Sequence, residues 1–171
     1  MSEPAYRIEP WRPDDDPLLQ RLLGDPALTE HLGGPESPEK IAERQEKYVH
    51  LPETGTGAMF KIVETATGEG VGSVGYWDRE EQEGLVYETG WSVLQEYQGR
   101  GIATIATAQL IELLRAARER RYLYAYPSVE NAPSNAICRK LGFEVARVSE
   151  YEYPPDSGNI MRCNDWRLEL F

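Results

Sequence analysis

Residues 88–117 read ETGWSVLQEYQGRGIATIATAQLIELLRAA, and this stretch decides the fold. Leu85 to Val93 reads as a strand, whereas Ile105, Ala106, Leu110, Leu113, Leu114 and Ala117 recur at helical spacing and form one apolar stripe. Between them, Gln98-Gly99-Arg100-Gly101-Ile102-Ala103 turns the chain from strand to helix. The first N–H groups of a helix have no partner inside it, and with the helix dipole they attract anions. Gly99 and Gly101 remove steric limits on the turn and let a phosphate approach the backbone, so a pyrophosphate is the natural occupant. The alternative is an ordinary tight turn whose glycines serve packing. A dinucleotide-binding turn would need a third glycine three residues after Gly101, where Thr104 stands.

Working outward, Ala58 to Glu64 and Val71 to Asp78 join Leu85 to Val93 as an antiparallel meander, broken by Thr67-Gly68-Glu69-Gly70 and an acidic turn at Glu80 to Gly84. Tyr6 to Trp11 alternates as a first strand, which Pro13 ends. Asp16-Pro17 opens a short helix bearing Leu18, Leu19, Leu22 and Leu23. A helical turn follows over Ala27 to Leu32, and Ser37-Pro38 opens a helix to about Val49 before a turn-rich connection from Leu51 to Gly57. Downstream, Arg118 to Arg121 place positive charge at the end of the long helix, and Tyr122 to Tyr126 reads as a strand. Pro133 to Leu141 is a short helix that Gly142 ends. Phe143 to Tyr151 and Met161 to Leu170 are strands divided by Pro154-Pro155-Asp156-Ser157-Gly158. This order predicts one α+β domain over residues 1–171, with a mixed, largely antiparallel sheet flanked by helices. The strands ending at Val93 and starting at Tyr122 lie parallel through the helix between them. Tyr122, Tyr124 and Tyr126 share one side of the sheet and are read as packing residues with satisfied hydroxyls, as are Trp11, Trp77, Trp91 and Trp166 as packing indoles.

Composition narrows the function. A chain of 171 residues with 40% hydrophobic content builds one core. Its net charge of -11 repels nucleic acid and suits cationic partners. Cys138 and Cys163 show no metal-ligand spacing with His31 and His50, so no metal is expected. No apolar run approaches the roughly 20 residues that span a bilayer, and the start lacks a signal-peptide pattern, so a soluble, cytoplasmic protein without membrane contacts is expected.

The glycine turn resembles the phosphate loop of the GNAT N-acetyltransferase superfamily, whose pattern of Gln or Arg, two residues, Gly, one residue, then Gly or Ala is matched by Gln98, Gly101 and Ala103. Glu88-Thr89-Gly90-Trp91, Glu96-Tyr97-Gln98, Asn131-Ala132-Pro133-Ser134 and Lys140-Leu141-Gly142-Phe143 are similar to the branch containing ribosomal-protein N-terminal acetyltransferases and many small-amine acetyltransferases. The resemblance implies a central sheet splayed open around acetyl-CoA. Trp91, Ser92 and Val93 would offer backbone groups to the pantetheine arm. Gln98, Gly99, Arg100, Gly101, Ile102, Ala103 and Thr104 would hold the pyrophosphate, and Asn131 would bind the cofactor from the opposite wall. The implied reaction is direct transfer of an acetyl group to a primary amine, either a protein N-terminus or a small cationic amine.

Such a transfer needs a neutral amine and a proton source for the departing thiolate. Glu88 enters the expected cleft and matches a glutamate that often serves as base in this branch; pairing with an arginine or binding a cationic substrate is the rival role. Ser134 aligns with a serine used near the cofactor sulfur and is the expected proton donor, against a role as cap or lining. Many relatives carry a tyrosine five residues before the phenylalanine of the Gly-Phe pair, where Cys138 stands here, a poor donor beside a phenol. That departure keeps open a second class of function, an acetyl-CoA-binding sensor that has lost turnover.

Overall fold

The computed structural model describes residues 2–171. Its helices begin where local chemistry supplies partners for orphan N–H groups. Ser37 Oγ accepts from Lys40 N–H at 3.3 Å and Pro38 fills the first position of α2 (Pro38–Thr54). Asn131 Oδ1 accepts from Ser134 N–H at 3.2 Å at the start of α4 (Ala132–Lys140). The other two helices are α1 (Asp16–Leu23) and α3 (Ile102–Ala117).

Seven strands form one sheet: β1 (Tyr6–Pro10), β2 (Gly57–Glu64), β3 (Gly70–Glu81), β4 (Gly84–Val93), β5 (Tyr122–Ala125), β6 (Glu144–Glu152) and β7 (Ile160–Glu169). Their order is β1-β2-β3-β4-β5-β7-β6, and only β4 and β5 pair in parallel. The apolar stripe of α3 packs Ile102, Ala106, Leu110 and Leu114 against Ile62, Val74 and Tyr87 on one face. α1 and α2 bury Leu19, Leu22, Ile41 and Leu51 with Met59 and Trp11 on the other face, toward β1 and β2. Each layer is thus covered by the element whose apolar period fits it. Among the described residues, no helix is long and apolar enough to cross a membrane.

Most boundaries fall within a residue of the sequence reading, and the helical turn expected over Ala27 to Leu32 is confined to Glu30–Leu32; three further departures bear on packing. Helix α2 runs on to Thr54 through Pro52 because buried Leu51 anchors its last turn and Thr54 Oγ donates to Leu51 O at 2.6 Å. The β3–β4 hairpin reaches Glu81 and Gly84, beyond the expected end at Asp78. Helix α3 stops at Ala117, where Arg118 turns left-handed (φ 53°), so Arg120 and Arg121 lie in the connection to β5 and only Arg115 brings positive charge to the last helical turn.

Asn135 locks α4 to the sheet. Its Nδ2 donates to Ser128 O (2.9 Å) and Asn131 O (2.8 Å), and its Oδ1 accepts from Asn164 Nδ2 (2.9 Å) and Trp166 Nε1 (2.7 Å), all around a buried side chain. Asn135→Ala takes the acceptor from Asn164 Nδ2 and Trp166 Nε1, while Ser128 O and Asn131 O keep their bonds from the N–H groups of residues 131 and 135. It is expected to cost about 2–4 kcal/mol in urea unfolding, since each buried orphan costs about 1–3 kcal/mol before relaxation.

Candidate active site

The sheet opens where the sequence places its glycine turn. β4 and β5 pair only at Tyr87↔Leu123 and Glu88↔Tyr124, while β4 continues to Val93 on β3 alone. Leu94 N–H donates to Val71 O at 2.9 Å on the β3 side. Backbone groups alternate between the two edges of a strand, so those of Ser92 also face β3, whereas those of Trp91 and Val93 turn into the gap. Ser92 therefore has no backbone group to offer there, contrary to the expectation for this residue. Val93 O is engaged as well, accepting from Gln98 Nε2 at 3.1 Å. What remains open along the strand is the Trp91 N–H and C=O and the Val93 N–H.

Gln98 thus braces the loop against the strand end. Arg100 likewise folds back, donating to Glu96 O at 3.2 Å and lying 5.1 Å from the Tyr97 ring centre. Gly99 and Gly101 adopt φ of 78° and 74°, the left-handed region that disfavours side chains, and a Cβ at either would meet open space. Conformation, not crowding, requires glycine at both positions. Among the described residues, no protein acceptor takes the backbone N–H of any residue from Gly99 to Thr104, and the first bond of α3 is Ile105 N–H to Gly101 O at 3.0 Å. That row of free donors at a helix start fits the diphosphate of a nucleotide-like ligand.

The gap has two differently furnished sides. Trp91 pairs with Val74 and packs on the α3 face, and its Nε1 donates to Ser134 Oγ at 3.3 Å on α4. The indole therefore ties the wall beyond β5 to β4 and orients the Ser134 hydroxyl, a role that its reading as a packing residue missed. Asn131 Oδ1 is committed to capping α4, so only its amide nitrogen is left for a ligand. Cys138 is fully buried in the α3-side core, and burial pushes its thiol up to about 12. A group so placed packs and does not supply protons to the gap.

Glu88 pairs with Trp77 and so projects from the opposite face, at the point where the gap begins. Its carboxylate is one-fifth exposed and bonded to Arg79 Nη1 at 2.7 Å. Burial raises its pKa above the ordinary carboxylate range, with Arg79 opposing that shift. Tyr124 and Tyr126 lie on this same face, their hydroxyls bonded to Glu83 and Glu81. Tyr151 OH and Ser149 Oγ donate to the buried Asp165 Oδ2 at 3.0 and 2.8 Å. α2 and the β6–β7 loop meet above, where Arg44 Nη2 lies 3.5 Å from Tyr153 OH. Glu88 and Ser134 thus approach one gap from opposite faces, and Arg79, Glu81, Tyr126 and Tyr151 are site residues that sequence reasoning missed. Among the described residues, no group of three or more His, Cys, Asp or Glu side chains is arranged to hold a metal ion.

Comparison with known proteins agrees with this geometry. The chain is similar in structure to a GNAT-family acetyltransferase from Bacillus anthracis (16% identity, covering 99% of this chain and 98% of that one, TM-score 0.81). It is similar to an acetyltransferase from Salmonella typhimurium that modifies the N-terminal serine of ribosomal protein L7/L12 (19% identity, 98% and 96% covered, TM-score 0.82). An aminoglycoside acetyltransferase in complex with coenzyme A is a further likeness (18% identity, 96% and 94% covered, TM-score 0.76). No curated protein matches by sequence. Residues 6–144 match the family model of the acetyltransferase (GNAT) domain, and the chain therefore belongs to that family and is an acetyl-CoA-dependent N-acetyltransferase.

Proposed function

We propose that the protein transfers the acetyl group of acetyl-CoA directly to a primary amine, in a ternary complex held in the gap between β4 and β5. The observation that carries this reading is the coincidence, at one opening of the sheet, of the free N–H row from Gly99 to Thr104 with Glu88 at the apex. Acetyl-CoA supplies an activated thioester. The N–H groups from Gly99 to Thr104 would hold its pyrophosphate, and the free backbone groups of Trp91 and Val93 would receive the amide-like pantetheine arm. Ser92 Oγ and the Asn131 amide nitrogen lie outside that set of backbone donors, and of the two Asn131 is the one on the α4 wall.

Glu88 takes the proton of the acceptor's ammonium, leaving a lone pair on nitrogen to form the C–N bond as the C–S bond breaks. Ser134, its oxygen already accepting from Trp91, gives its own proton to the departing sulfur, and the second proton that the nitrogen sheds on becoming an amide restores the serine hydroxyl. Ser134→Ala is then expected to lower kcat about 10- to 100-fold with little change in the KM for acetyl-CoA. Full turnover in that variant would assign Ser134 to lining the gap.

The acceptor enters from the Glu88 face, between α2 and the β6–β7 loop. Protein N-termini and small cationic amines are the two acceptor classes of the similar enzymes named above, and a net charge of -11 suits either. Thiol release from acetyl-CoA, screened against N-terminal peptides and cationic amines, tests the reading. Amine-dependent thiol release supports it. Tight acetyl-CoA binding with no thiol release for any amine of such a panel would contradict it.

A further inference from the structure

Glu88 has a fixed cation beside it. Arg79 Nη1 donates to Glu88 Oε1 at 2.7 Å, and its guanidinium lies 4.0 Å from the Tyr126 ring centre and 5.2 Å from that of Tyr151. Arg79 Nε is 3.7 Å from Glu81 Oε1, which also accepts from Tyr126 OH at 2.5 Å. Glu81 in turn is paired with Arg147, which reaches the buried Asp165 at 3.0 Å. Two ring faces and two carboxylates therefore define one position for the guanidinium, with stacking and charge acting together. A surface arginine paired with one acid would be free to leave it. This one is built in by Glu81 on β3, Glu88 on β4, Tyr126 just beyond β5 and Tyr151 on β6.

We propose that Arg79 is a positioning residue for the acceptor site, pinning one oxygen of Glu88 so that the carboxylate keeps both its orientation and its negative charge. The inference rests on the assignment of Glu88 as proton acceptor. Glu88 sits in surroundings that oppose its charge: burial acts most strongly, and Glu81 from β3 adds repulsion. Arg79 and the Trp77 indole, both on β3, act the other way. Tyr126 beyond β5 and Cys163 on β7 also face the carboxylate, and both are neutral at ordinary pH, with burial raising each. Arg79 is thus the one full positive charge in contact with Glu88 among the described residues. A proton acceptor works only when ionised, so kcat/KM falls as pH drops through the Glu88 pKa. Loss of the cation raises that pKa, and the acidic limb must move to higher pH.

The test is the pH dependence of kcat/KM for one amine in the wild type and in Arg79→Met, Arg79→Lys and Glu88→Gln, with Arg79→Gln as a second neutral variant should Arg79→Met fail to fold. The Glu88 carboxyl carbon, assigned in NMR spectra by its absence from Glu88→Gln, is titrated in parallel and reports the charge without any acceptor. The neutral variants are expected to shift both the limb and the carbon titration upward by about one pH unit or more. Arg79→Lys should retain the limb near its wild-type position while lowering kcat/KM, because an ammonium keeps the charge and loses the fork and the stacking. A limb and titration unmoved in folded Arg79→Met or Arg79→Gln, with Glu88→Gln still abolishing the limb, would overturn the role of Arg79 and leave Glu88 as the base. A limb that persists in Glu88→Gln would overturn the assignment of Glu88 itself, and the role of Arg79 with it.

Discussion

Replacing Glu88 by glutamine is expected to lower kcat/KM for acetyl transfer about 100- to 1,000-fold, the range set by loss of one positioned proton acceptor. Acetyl-CoA affinity should stay nearly intact, because the carboxylate projects from the face opposite Trp91 and Ser134, away from the free N–H row of the α3 start. The sign of the accompanying pH effect follows from burial. Desolvation raises the Glu88 pKa and Arg79 limits the rise, so the wild-type acidic limb should lie above the ordinary carboxylate range. Glutamine does not titrate, so the variant should lose that limb. Steady-state kinetics over a pH series check both parts, and unchanged rates would remove Glu88 from the mechanism.

Gly101→Val should have the second largest effect, and on the other substrate. Gly101 holds φ of 74° at the position that caps α3, where a β-branched residue is strained by about 1–3 kcal/mol. Space is not the obstacle, since a Cβ there meets nothing within 4 Å. The loop must relax to a conformation that no longer aligns the N–H groups of Gly99 to Thr104. The dissociation constant for acetyl-CoA, measured by calorimetry, is expected to rise about 10- to 100-fold, equivalent to about 1.4–2.8 kcal/mol. Gly101→Asn should lose much less, because asparagine tolerates the left-handed region. Equal losses in the two variants would show that the conformation of residue 101 does not govern binding.

Much of the fold was legible because periodicity carried it. The stripe from Ile105 to Ala117, the meander before it and the single crossover between β4 and β5 follow from where apolar residues recur and where Gly and Pro interrupt them. The hairpin tip was less legible for a specific reason. Glu80 to Gly84 read as an acidic turn, yet the Glu81 side chain is buried by Arg147 and Tyr126, and Glu83 is bonded to Tyr124 and Arg167. Those partners come from β5, β6 and β7, far along the chain, and no local pattern announces them. Ending β3 at Asp78 then hid Arg79, which becomes a diagonal neighbour of Glu88 only once the register Trp77↔Glu88 is known.

The site divides in the same way. Glycines at 99 and 101 and the helix start after them are local features, and their left-handed φ values are what the turn requires. Side-chain roles depend on what else is near. Gln98 and Asn131 were both expected to face the cofactor, but their side-chain oxygen or nitrogen atoms are spent first on the backbone of Val93 and Ser134. Strand edges impose a similar limit on Ser92, whose backbone belongs to the β3 ladder while its two neighbours face the gap. Trp91 shows the reverse: an indole that reads as packing carries the hydrogen bond joining β4 to Ser134.

The claim on which all of this depends is that the opening between β4 and β5, with the α3 start at its mouth, receives coenzyme A. Backbone amide NMR of the full chain, titrated with coenzyme A alone, tests it without reference to any acceptor. The largest shifts are predicted at the N–H groups of Gly99 to Thr104, with smaller ones at Trp91 and Val93 and little change at Ser92, whose amide is directed to β3. Saturable binding whose shifts fall elsewhere and leave Gly99 to Thr104 unmoved would contradict it.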